Sequence, residues 1–484
     1  MTEGLKCQIS YTRWGLQLSS IYKSSSVTDE PTTEARCRGF AAQISEALDL
    51  EGRNYLKTEY KGAFRLTSVF DVSGLALATM TAAAEELAAL VGAQDIIVDR
   101  RAVELWCDTT IKADGWKMPD AWDSVAGNYR VRDGWIRLHT NVPSHLAAAL
   151  QVLGVPAERE QVAHAVASWD RFELERAVVE AGGVAAAMIG LTDWAAHPQG
   201  QAVASEPLID WKVHPSAPTS LPEFYGNLQG LRVLDLTRVL AGPVATRFLA
   251  GFGASVLRID PPHWHEDGLE AEVTLGKACA GLDLRLAHDR ERFETLLSEA
   301  HIIVHGYRPG ALERLGYGEQ RRRELNPGIL DITLSAYGWT VPWQERRGFD
   351  SILQLHTGLA QEGMERTGAD KPVPLPVQVL DHGTGYLMAA AVLRALYMQR
   401  ADGHPRSARL SLARTARLLV SGGLHEVQPR DSGIAPIEEL PEMTHWGPAR
   451  RIAFPIAIDA RRPVWRLPAA PFRTAPAEWP NLVS

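Results

Sequence analysis

Two aspartates in this sequence open Ala-rich helical stretches and are each followed closely by a glycine. Asp381 lies in LDHGTG, and Asp71 lies in VFDVSG. An aspartate at a helix start commonly caps the free backbone N–H groups of the first turn. The positive end of the helix also favours an ionised carboxylate, which can act as a nucleophile. From the residues alone, both roles stay open for Asp381.

The segments that follow the two aspartates share a pattern. In each, an Ala-rich helix is succeeded by a strand-like stretch at the same distance, around Val98 in one and Ala408 in the other. Sequence identity between the two segments is low. The shared pattern predicts a duplicated unit within the chain.

A strand, a turn, a helix and a second strand follow one another over residues 228–260. The turn, TRVLAGP, has no GxGxxG fingerprint. Gly242 supplies backbone freedom and Pro243 suits an early helical position, so the amides near Ala241 could still receive a polar group. A purely structural turn fits this spacing equally well. Strands and helices then alternate, which predicts a parallel sheet with helices on its faces.

The sequence divides into five predicted segments. An N-terminal extension of unclear role spans 1–68. The Ala-rich helix that Asp71 opens and a small α+β domain together span 69–210. A Pro-punctuated linker at 211–227 leads to the α/β domain at 228–420, and an extended tail spans 421–484. Within the small domain, the Asp-Gly pair at Asp133 and Gly134 predicts a β-hairpin.

Composition excludes several classes of protein. The 484 residues include 50 basic and 58 acidic side chains, and the net charge of −8 argues against a nucleic-acid partner. The four cysteines are scattered without CxxC spacing, so we expect no metal site and a reducing compartment. Apolar runs are too short for a membrane span. We expect a cytoplasmic protein with no membrane partner.

A series of motifs extends from Leu231 to Arg400. They are LRVLDLTRVLAGPVATRFLAGFGASVLRIDPP, GK, LDLR, RPGALERLGYG, LNPGIL, SAYGW, GFDSILQLHTGLA and LDHGTGYLMAAAVLRALYMQR. In content and order this series resembles the family III CoA-transferases, which include formyl-CoA transferase, carnitine CoA-transferase and α-methylacyl-CoA racemase. The resemblance implies an α/β fold, with a Rossmann-like parallel-sheet CoA-binding domain and a smaller α+β domain.

The resemblance also implies an activity and a nucleophile. CoA would pass from an acyl-CoA donor to a carboxylic acid acceptor through a covalent intermediate on Asp381. Gly383 and Gly385 would allow close approach of substrate and supply amide donors, although packing glycines fit the same positions. The coenzyme A thioester is then a substrate, and no permanently bound cofactor is expected.

The CoA-binding positions implied by the resemblance lie on the loops of the α/β domain. They are Arg238, Ala241, Gly242, Lys277, Tyr307, Arg314 and Arg347. Cations at such positions suit phosphate groups. A solvated surface charge is the alternative for each of them, and a helix-end cation is a further alternative for Arg314.

Phe349 separates the branches of the family. Racemases of this family have a histidine before the aspartate of the corresponding motif, and phenylalanine cannot move a proton. Two departures favour a different alternative, a non-catalytic CoA-binding subunit or scaffold. Asp267 has no arginine after it, and Leu275 stands where the family commonly has asparagine.

The order of the parts also departs from the family. Its small domain follows the Asp-bearing helix, whereas here DGWIRLHTN and WDRFELERAVVEAGGVAAAMI lie upstream of the α/β domain. The chain therefore resembles two incomplete copies joined in tandem. We expect one CoA site per chain, a structural role for Asp71, and association into a homodimer.

Overall fold

Helices and strands follow one another along most of the chain. The computed structural model describes residues 33–50, 57–63, 66–215, 221–266, 268–426 and 437–481. The helices are α1 (Thr33–Ala47), α2 (Val72–Val91), α3 (Arg100–Trp106), α4 (Pro143–Leu153), α5 (Arg159–Val166), α6 (Arg171–Glu180), α7 (Leu191–Ala196), α8 (Pro198–Ser205), α9 (Ala241–Gly251), α10 (Glu270–Val273), α11 (Ala287–Glu299), α12 (Ala311–Arg314), α13 (Glu319–Leu325), α14 (Asp350–His356), α15 (Leu359–Thr367), α16 (Val379–Asp402) and α17 (Leu412–Ser421). The strands are β1 (Lys57–Lys61), β2 (Asp95–Asp99), β3 (Ile111–Ala113), β4 (Gly127–Val131), β5 (Gly134–Leu138), β6 (Ala185–Ala187), β7 (Asp210–Val213), β8 (Arg232–Leu236), β9 (Ser255–Asp260), β10 (Lys277–Gly281), β11 (Ile302–His305), β12 (Leu330–Ser335), β13 (Arg406–Ser411), β14 (Glu439–Thr444), β15 (Gly447–Ile452) and β16 (Ile456–Ile458).

A seven-stranded sheet organises the second half of the chain, with strand order β10-β9-β8-β11-β12-β13-β7. The first six strands are parallel, and β7 pairs antiparallel with β13 at one edge. Strand order reverses between β8 and β11, which is the doubly wound arrangement. The predicted Rossmann-like parallel sheet is confirmed. Strand β7 lies at the start of the segment predicted to be a linker, residues 211–227.

The two Asp-led segments have the same order of elements. In the first, α2 is followed by β2 and α3, and in the second, α16 is followed by β13 and α17. The strands expected around Val98 and Ala408 are therefore present. Their surroundings differ, because β2 lies in a three-stranded sheet with β1 and β16, whereas β13 lies in the large sheet. A duplication behind this shared order stays a prediction.

A small α+β unit lies between these two segments in the chain. Strands β4 and β5 form the hairpin predicted at Asp133 and Gly134, and β6 pairs antiparallel with β5. Helices α4, α5 and α6 cover the sheet and enclose a separate apolar core, which includes Tyr129, Ile136 and Leu174. This core makes the unit a rigid support for the loops that leave it.

The C-terminal segment returns to the first part of the chain. Strand β15 pairs with β3, and β16 pairs with β2. The segment predicted to be an extended tail over 421–484 therefore includes paired strands where it is described. These pairings join the end of the chain to its first half.

Helices α2 and α16 pack along one another at the centre of the molecule, and α9 packs on α16 as well. Alanines on these helices allow close approach of the axes. Within the described part of the chain, α2 is the one helix long and apolar enough to cross a membrane, but 83% of its most apolar window is buried inside the protein. It packs here as a core helix.

A buried ion network joins three distant parts of the chain at Glu272. The Glu272 carboxylate accepts from Thr110 N at 2.6 Å and from Thr110 Oγ1 at 2.7 Å. It also accepts from Arg247 at 3.0 Å and from Arg451 at 3.2 Å. Burial opposes ionisation of Glu272, yet the two guanidinium groups hold its pKa below the ordinary value. The network ties the first half and the C-terminal strands to α9.

We expect Glu272→Gln to lower the free energy of unfolding by about 3 kcal/mol, because the substitution leaves the buried Arg247 without its carboxylate and leaves Arg451 with Glu442 alone. Glu299→Gln removes an ion pair whose two side chains are each 44% exposed, so it should cost less than about 1 kcal/mol. Chemical denaturation of both variants measures the difference. Equal losses would contradict a special role for the network.

Candidate active site

The carboxyl ends of β8 and β11 lie side by side where the strand order reverses, and doubly wound sheets bind ligands at this position. Arg238 follows β8, and Tyr307 follows β11. Arg238 donates to Tyr307 Oη at 2.9 Å, and its guanidinium lies 4.5 Å from the ring centroid of Trp264. The switch point therefore presents a cation held between aromatic rings.

The loop that carries Arg238 is strained at Val239. Its φ of 62° is left-handed, which β-branched residues rarely adopt. The Val239 N–H donates to Glu266 Oε1 at 2.6 Å, and Glu266 pairs with the fully buried Arg258 at 3.2 Å. The ion pair thus holds the loop in a conformation that its own residue disfavours.

Helix α9 begins directly after this loop. Ala241, its first residue, lines the cavity beside the loop. Gly242 is needed for close packing, because a Cβ at this position would lie 2.3 Å from the Cβ of Thr237. A single glycine therefore suffices for the turn, and no GxGxxG fingerprint is required.

Asp381 is the third residue of α16 and is 5% exposed. Gln378, not Asp381, is the N-cap residue of this helix. The carboxylate of Asp350 accepts from the Leu380 N–H at 2.9 Å and from the Asp381 N–H at 3.0 Å. Because Asp350 binds these first-turn amides, Asp381 lies within the helix and its carboxyl group is left to face a cavity.

Asp71 has the opposite role at the start of α2. It lies at the N-cap position, and its Oδ1 accepts from the Gly74 N–H at 2.8 Å. The two similar motifs thus place their aspartates at different positions relative to the helix. The expected structural role of Asp71 agrees with this geometry.

Two carboxyl groups share the buried start of α16. Burial raises the pKa of Asp350 to about 6, even though Gln354 and two backbone amides donate to it. Burial and then the charge of Asp350 raise the pKa of Asp381 well above its ordinary value. The pair therefore resists carrying two negative charges near neutral pH.

Two cavities meet at Asp381. The arginine cavity, of ≈ 640 Å³, includes Arg238, Arg308, Arg346 and Arg347 in its lining. The aromatic cavity, of ≈ 350 Å³, includes Trp122, His139, Trp264 and Phe349 in its lining. Both cavities share Val142, Pro143, Val239, Trp264, Phe349 and Asp381. A ligand could therefore extend from one cavity to the other past the Asp381 carboxyl group.

The arginine cavity concentrates positive charge. Burial lowers the pKa of Arg308, and the nearby charges of Arg347 and Arg314 lower it further. Arg308 donates to the Glu345 carbonyl at 3.2 Å, a neutral partner that leaves this repulsion in place. An anion bound among these guanidinium groups would relieve the repulsion, and phosphate is suited to such a site.

The small α+β unit closes the aromatic cavity. Trp122 precedes β4, and His139 and Val142 follow β5, so all three come from the first half of the chain. Asp381 comes from the second half. The two halves of one chain therefore complete a single cleft.

Phe349 occupies the position that holds a histidine in the racemases of the family, as the sequence analysis predicts. Its ring stacks on His139 with centroids 3.8 Å apart and an interplanar angle of 18°. Burial, with the neighbouring His145, lowers the pKa of His139 to about 3. The histidine brought to Phe349 by the fold is thus a neutral, weakly basic ring.

The structure brings four of the predicted CoA-binding residues to the arginine cavity. They are Arg238, Ala241, Tyr307 and Arg347. Asp381, the predicted nucleophile, lines the same cavity. The residues are drawn from the ends of β8 and β11, from α9 and from the loop before α14. Their convergence results from the strand order.

Other predicted positions lie elsewhere. The prediction that Lys277 binds CoA is not supported by its position. Its side chain is fully buried and donates to Asp235 Oδ2 and to the Pro243 carbonyl, both at 3.0 Å. It supports the loop and α9 from below and does not reach the cleft. Gly242 is a packing residue, and Arg314 is an exposed neighbour of Arg308 outside the lining.

Gly383 does not supply a free amide. It follows the four amides at the start of α16 that have no partner within the helix, so its N–H lies in the helical ladder. A Cβ added at Gly383 would meet Thr415 at 3.4 Å, an ordinary contact. Gly385 is different, because a Cβ there would lie 2.4 Å from the Ala241 carbonyl oxygen.

The two departures from the family pattern have different outcomes. Asp267 lies outside the described residues. Leu275 is 3% exposed and packs in the protein interior.

Several residues of the cleft were missed in the sequence. Arg308 lies in the RPG motif and Asp350 in the GFD motif, so both were available as signals. His139 and Trp122 had no such signal, because their contact with the second half depends on tertiary packing. In the described part of the chain, no cluster of three His, Cys, Asp or Glu side chains could hold a metal ion.

Comparison with known proteins links part of this chain to one family. Residues 228–433 match the model of CoA-transferase family III. An acyl-CoA transferase of Fusarium pseudograminearum is 33% identical over 221 residues, covering 41% of this chain and 48% of the relative. Acetyl-coenzyme A transferase nodX of Hypoxylon pulicicidum is 30% identical over 307 residues, covering 57% and 51%. The chain spans about half the length of these relatives.

A solved structure gives a matching region of similar extent. The crystal structure of Rv3272 from M. tuberculosis is 27% identical to this chain, covering 40% of it and 57% of that protein, with a TM-score of 0.36.

The two glycines of LDHGTG should differ in their tolerance of a side chain. We expect Gly385→Ala to lower the free energy of unfolding by about 1–3 kcal/mol, because its methyl group would overlap the Ala241 carbonyl and Val244. Gly383→Ala should be neutral or stabilising by up to about 1 kcal/mol. Denaturant unfolding measures both, and a larger loss in Gly383→Ala would contradict the packing described.

Asp381→Asn should stabilise the protein at high pH. Folding raises the pKa of Asp350 and Asp381 above the unfolded value of about 3.9, so stability falls as pH rises from about 3.9 through the folded pKa of Asp350, about 6. An amide at position 381 removes one of the two buried charges. We expect a melting temperature about 2–3 °C above wild type at pH 8 and a smaller gain at pH 5.

Thermal unfolding at the two pH values tests this expectation. Asp71→Asn serves as the control, because Asp71 caps α2 and lies in the other half of the chain. A gain for Asp381→Asn that is equal at pH 5 and pH 8 would rule out the charge repulsion.

Proposed function

We propose that this protein transfers coenzyme A between an acyl-CoA donor and a carboxylic acid acceptor, proceeding from the fact that residues 228–433 belong to CoA-transferase family III. The observation that carries the proposal is the position of Asp381 at the junction of the two cavities. The arginine cavity suits the phosphates of CoA. The aromatic cavity then receives the acyl group, and the thioester lies between them at the carboxylate.

The proposed reaction begins with attack of the Asp381 carboxylate on the thioester carbonyl carbon. The carbon–sulfur bond breaks, CoA leaves as its thiolate, and a mixed anhydride forms on Asp381. The thiolate then attacks the Asp381 carbonyl carbon of that anhydride. The donor acid leaves as a carboxylate, and CoA is held as a thioester on Asp381.

The acceptor completes the cycle by the same steps in reverse. Its carboxylate attacks the Asp381 thioester, which releases the CoA thiolate and forms a second anhydride. The thiolate attacks the acyl carbon of that anhydride, so acyl-CoA forms and the Asp381 carboxylate is regenerated. Burial excludes water from the anhydride, which would otherwise hydrolyse it.

Burial of Asp381 disfavours the ionised form of its carboxyl group. The nucleophile is the ionised carboxylate, yet burial and Asp350 raise the pKa of Asp381. Positive charge in the arginine cavity, and loss of the Asp381 proton as pH rises, both favour the reactive form. The desolvated carboxylate is then a stronger nucleophile than one in water.

Racemisation fits the cleft less well. It requires a base on the face of the substrate opposite Asp381, and Phe349 cannot serve. His139 lies against Phe349, but burial lowers the pKa of this histidine to about 3, so it is too weak a base for a carbon acid. Transfer needs no such second base.

Residues from both halves of the chain line the cleft. The homodimer implied by the family resemblance stays a prediction. The alternative of a non-catalytic CoA-binding subunit has a clear experimental signature, which is CoA binding without modification of Asp381.

Intact-mass spectrometry after incubation with acyl-CoAs tests the proposal. We expect a CoA-sized adduct on the wild type, or its hydroxamate when hydroxylamine is added. Asp381→Ala should lose the adduct and about 10³-fold or more in transfer rate. Asp71→Ala replaces the matching aspartate of the other half and should retain the adduct.

Each variant is first checked for CoA binding, which a misfolded protein would lose. If CoA binds but no acyl-CoA modifies either aspartate, the proposed transferase activity is wrong. The alternative of a non-catalytic CoA-binding subunit is then favoured. An adduct that persists in Asp381→Ala would exclude Asp381 as the nucleophile.

A further inference from the structure

The aromatic cavity is built of rings set in a defined arrangement. His139 stacks on Phe349, and the Trp122 ring meets His139 edge-on with centroids 5.9 Å apart and an interplanar angle of 89°. Trp264 lies on the boundary with the arginine cavity. Flat rings meeting at such angles present slots that suit another flat or bulky apolar group.

The cavity is small. Its volume of ≈ 350 Å³ lies near the lower end of ligand pockets, which span about 300–1,000 Å³. Apolar side chains fill the wall between the rings, and these are Pro119, Val142, Pro143, Val239 and Leu269. Such a volume fits an acyl group of one ring or a short branched chain.

Carboxyl groups predominate among the ionisable side chains of this cavity. Its lining includes the carboxyl groups of Asp120, Asp123, Glu266, Asp350 and Asp381 and the imidazole rings of His139 and His265, and it includes neither lysine nor arginine. Burial keeps His139 uncharged at neutral pH. The cations of the cleft lie in the other cavity.

Two guanidinium groups lie near this cavity but outside its lining. Arg258 is fully buried and pairs with Asp260 and Glu266. Arg137 lies 4.8 Å from the ring centroid of Trp122 and donates to Asn128 Oδ1 at 3.1 Å. Neither belongs to the lining of the aromatic cavity.

A second carboxylate on the acyl group would therefore be unfavourable here. A dicarboxylic acid attached to CoA at one end would place its free carboxylate beside Asp123 and Asp350, with no lysine or arginine in the cavity lining to pair with it. Burying an unpaired carboxylate is costly, and neighbouring carboxylates add repulsion. An uncharged ring meets none of these costs and gains contact with Trp122 and Phe349.

We infer that the site selects uncharged aromatic or bulky apolar monocarboxylic acyl groups and discriminates against dicarboxylic ones. The inference rests on the proposed function for the placement of the thioester at Asp381. It assigns to Trp122, a residue of the small α+β unit, the role of recognising the acyl group.

Equilibrium binding of three acyl-CoAs tests this inference. Phenylacetyl-CoA, acetyl-CoA and succinyl-CoA share the same CoA moiety, so differences in Kd report the acyl group. Calorimetry on Asp381→Asn avoids turnover. We expect phenylacetyl-CoA to bind at least about tenfold more tightly than acetyl-CoA, and succinyl-CoA to bind more weakly than acetyl-CoA.

A matched pair of tryptophan substitutions locates the effect. Trp122→Ala, made in the Asp381→Asn background, should weaken phenylacetyl-CoA binding about tenfold or more and leave acetyl-CoA binding unchanged. Trp116→Ala removes a tryptophan that stacks on Trp446 instead and should change neither. Succinyl-CoA binding as tightly as phenylacetyl-CoA, or an unchanged Kd in Trp122→Ala, would overturn the inference.

The outcomes separate this inference from the proposed function. A binding preference for phenylacetyl-CoA without any adduct on wild-type Asp381 would contradict the proposed transferase activity and still support the acyl selectivity. Adducts formed equally well from succinyl-CoA and phenylacetyl-CoA would contradict the acyl selectivity and support the proposed transferase activity. Failure of every acyl-CoA to bind would overturn both.

Discussion

Burial of the amino end of α16 is the constraint on which the rest of the structure depends. This end packs against α9 at Gly385, where the helices approach too closely for a side chain. Burial leaves the first-turn amides without water, so they need a protein acceptor, and Asp350 supplies it. The same burial places Asp381 in a low-dielectric site beside a second carboxyl group. Helix packing, capping and the unusual acidity of the site thus have one physical origin.

The cleft above this helix is made from segments far apart in the chain. The doubly wound sheet brings the loops after β8 and β11 together at the reversal of strand order, which gathers Arg238 and Tyr307. The small α+β unit then adds the rings of Trp122 and His139 from the other side. Charge is divided between the two sides, with guanidinium groups in one cavity and carboxyl groups in the other. Asp381 lies at the boundary, where the two ends of an acyl-CoA would differ most in polarity.

Much of the site followed from local sequence. The arrangement of TRVLAGP between an apolar strand and a helix placed Arg238 in a loop, and the LDHGTG motif placed Asp381 at a helix start. Lys277 was predicted to bind CoA, but its position after a glycine does not show which way its side chain points. The buried carboxylate of Asp235 sets that direction. Gly383 and Gly385 are equivalent in the sequence, yet they differ in function because α9 crosses α16 at Gly385 alone of the two. Arg308 was missed although it lies in a recognised motif, since a motif does not say which of its residues faces the ligand.

The sequence by itself determined the type of fold, the order of its strands and helices, and the two aspartates worth testing. Apolar periodicity and turn residues act over short distances, so they can be read along the chain. Tertiary structure decided which aspartate caps its helix and which faces a cleft, because that depends on whether another carboxylate, here Asp350, reaches the same amides. It also decided that the rings of the first half close over the second half. Contacts between residues hundreds of positions apart depend on how the finished surfaces fit, and no local pattern records that fit.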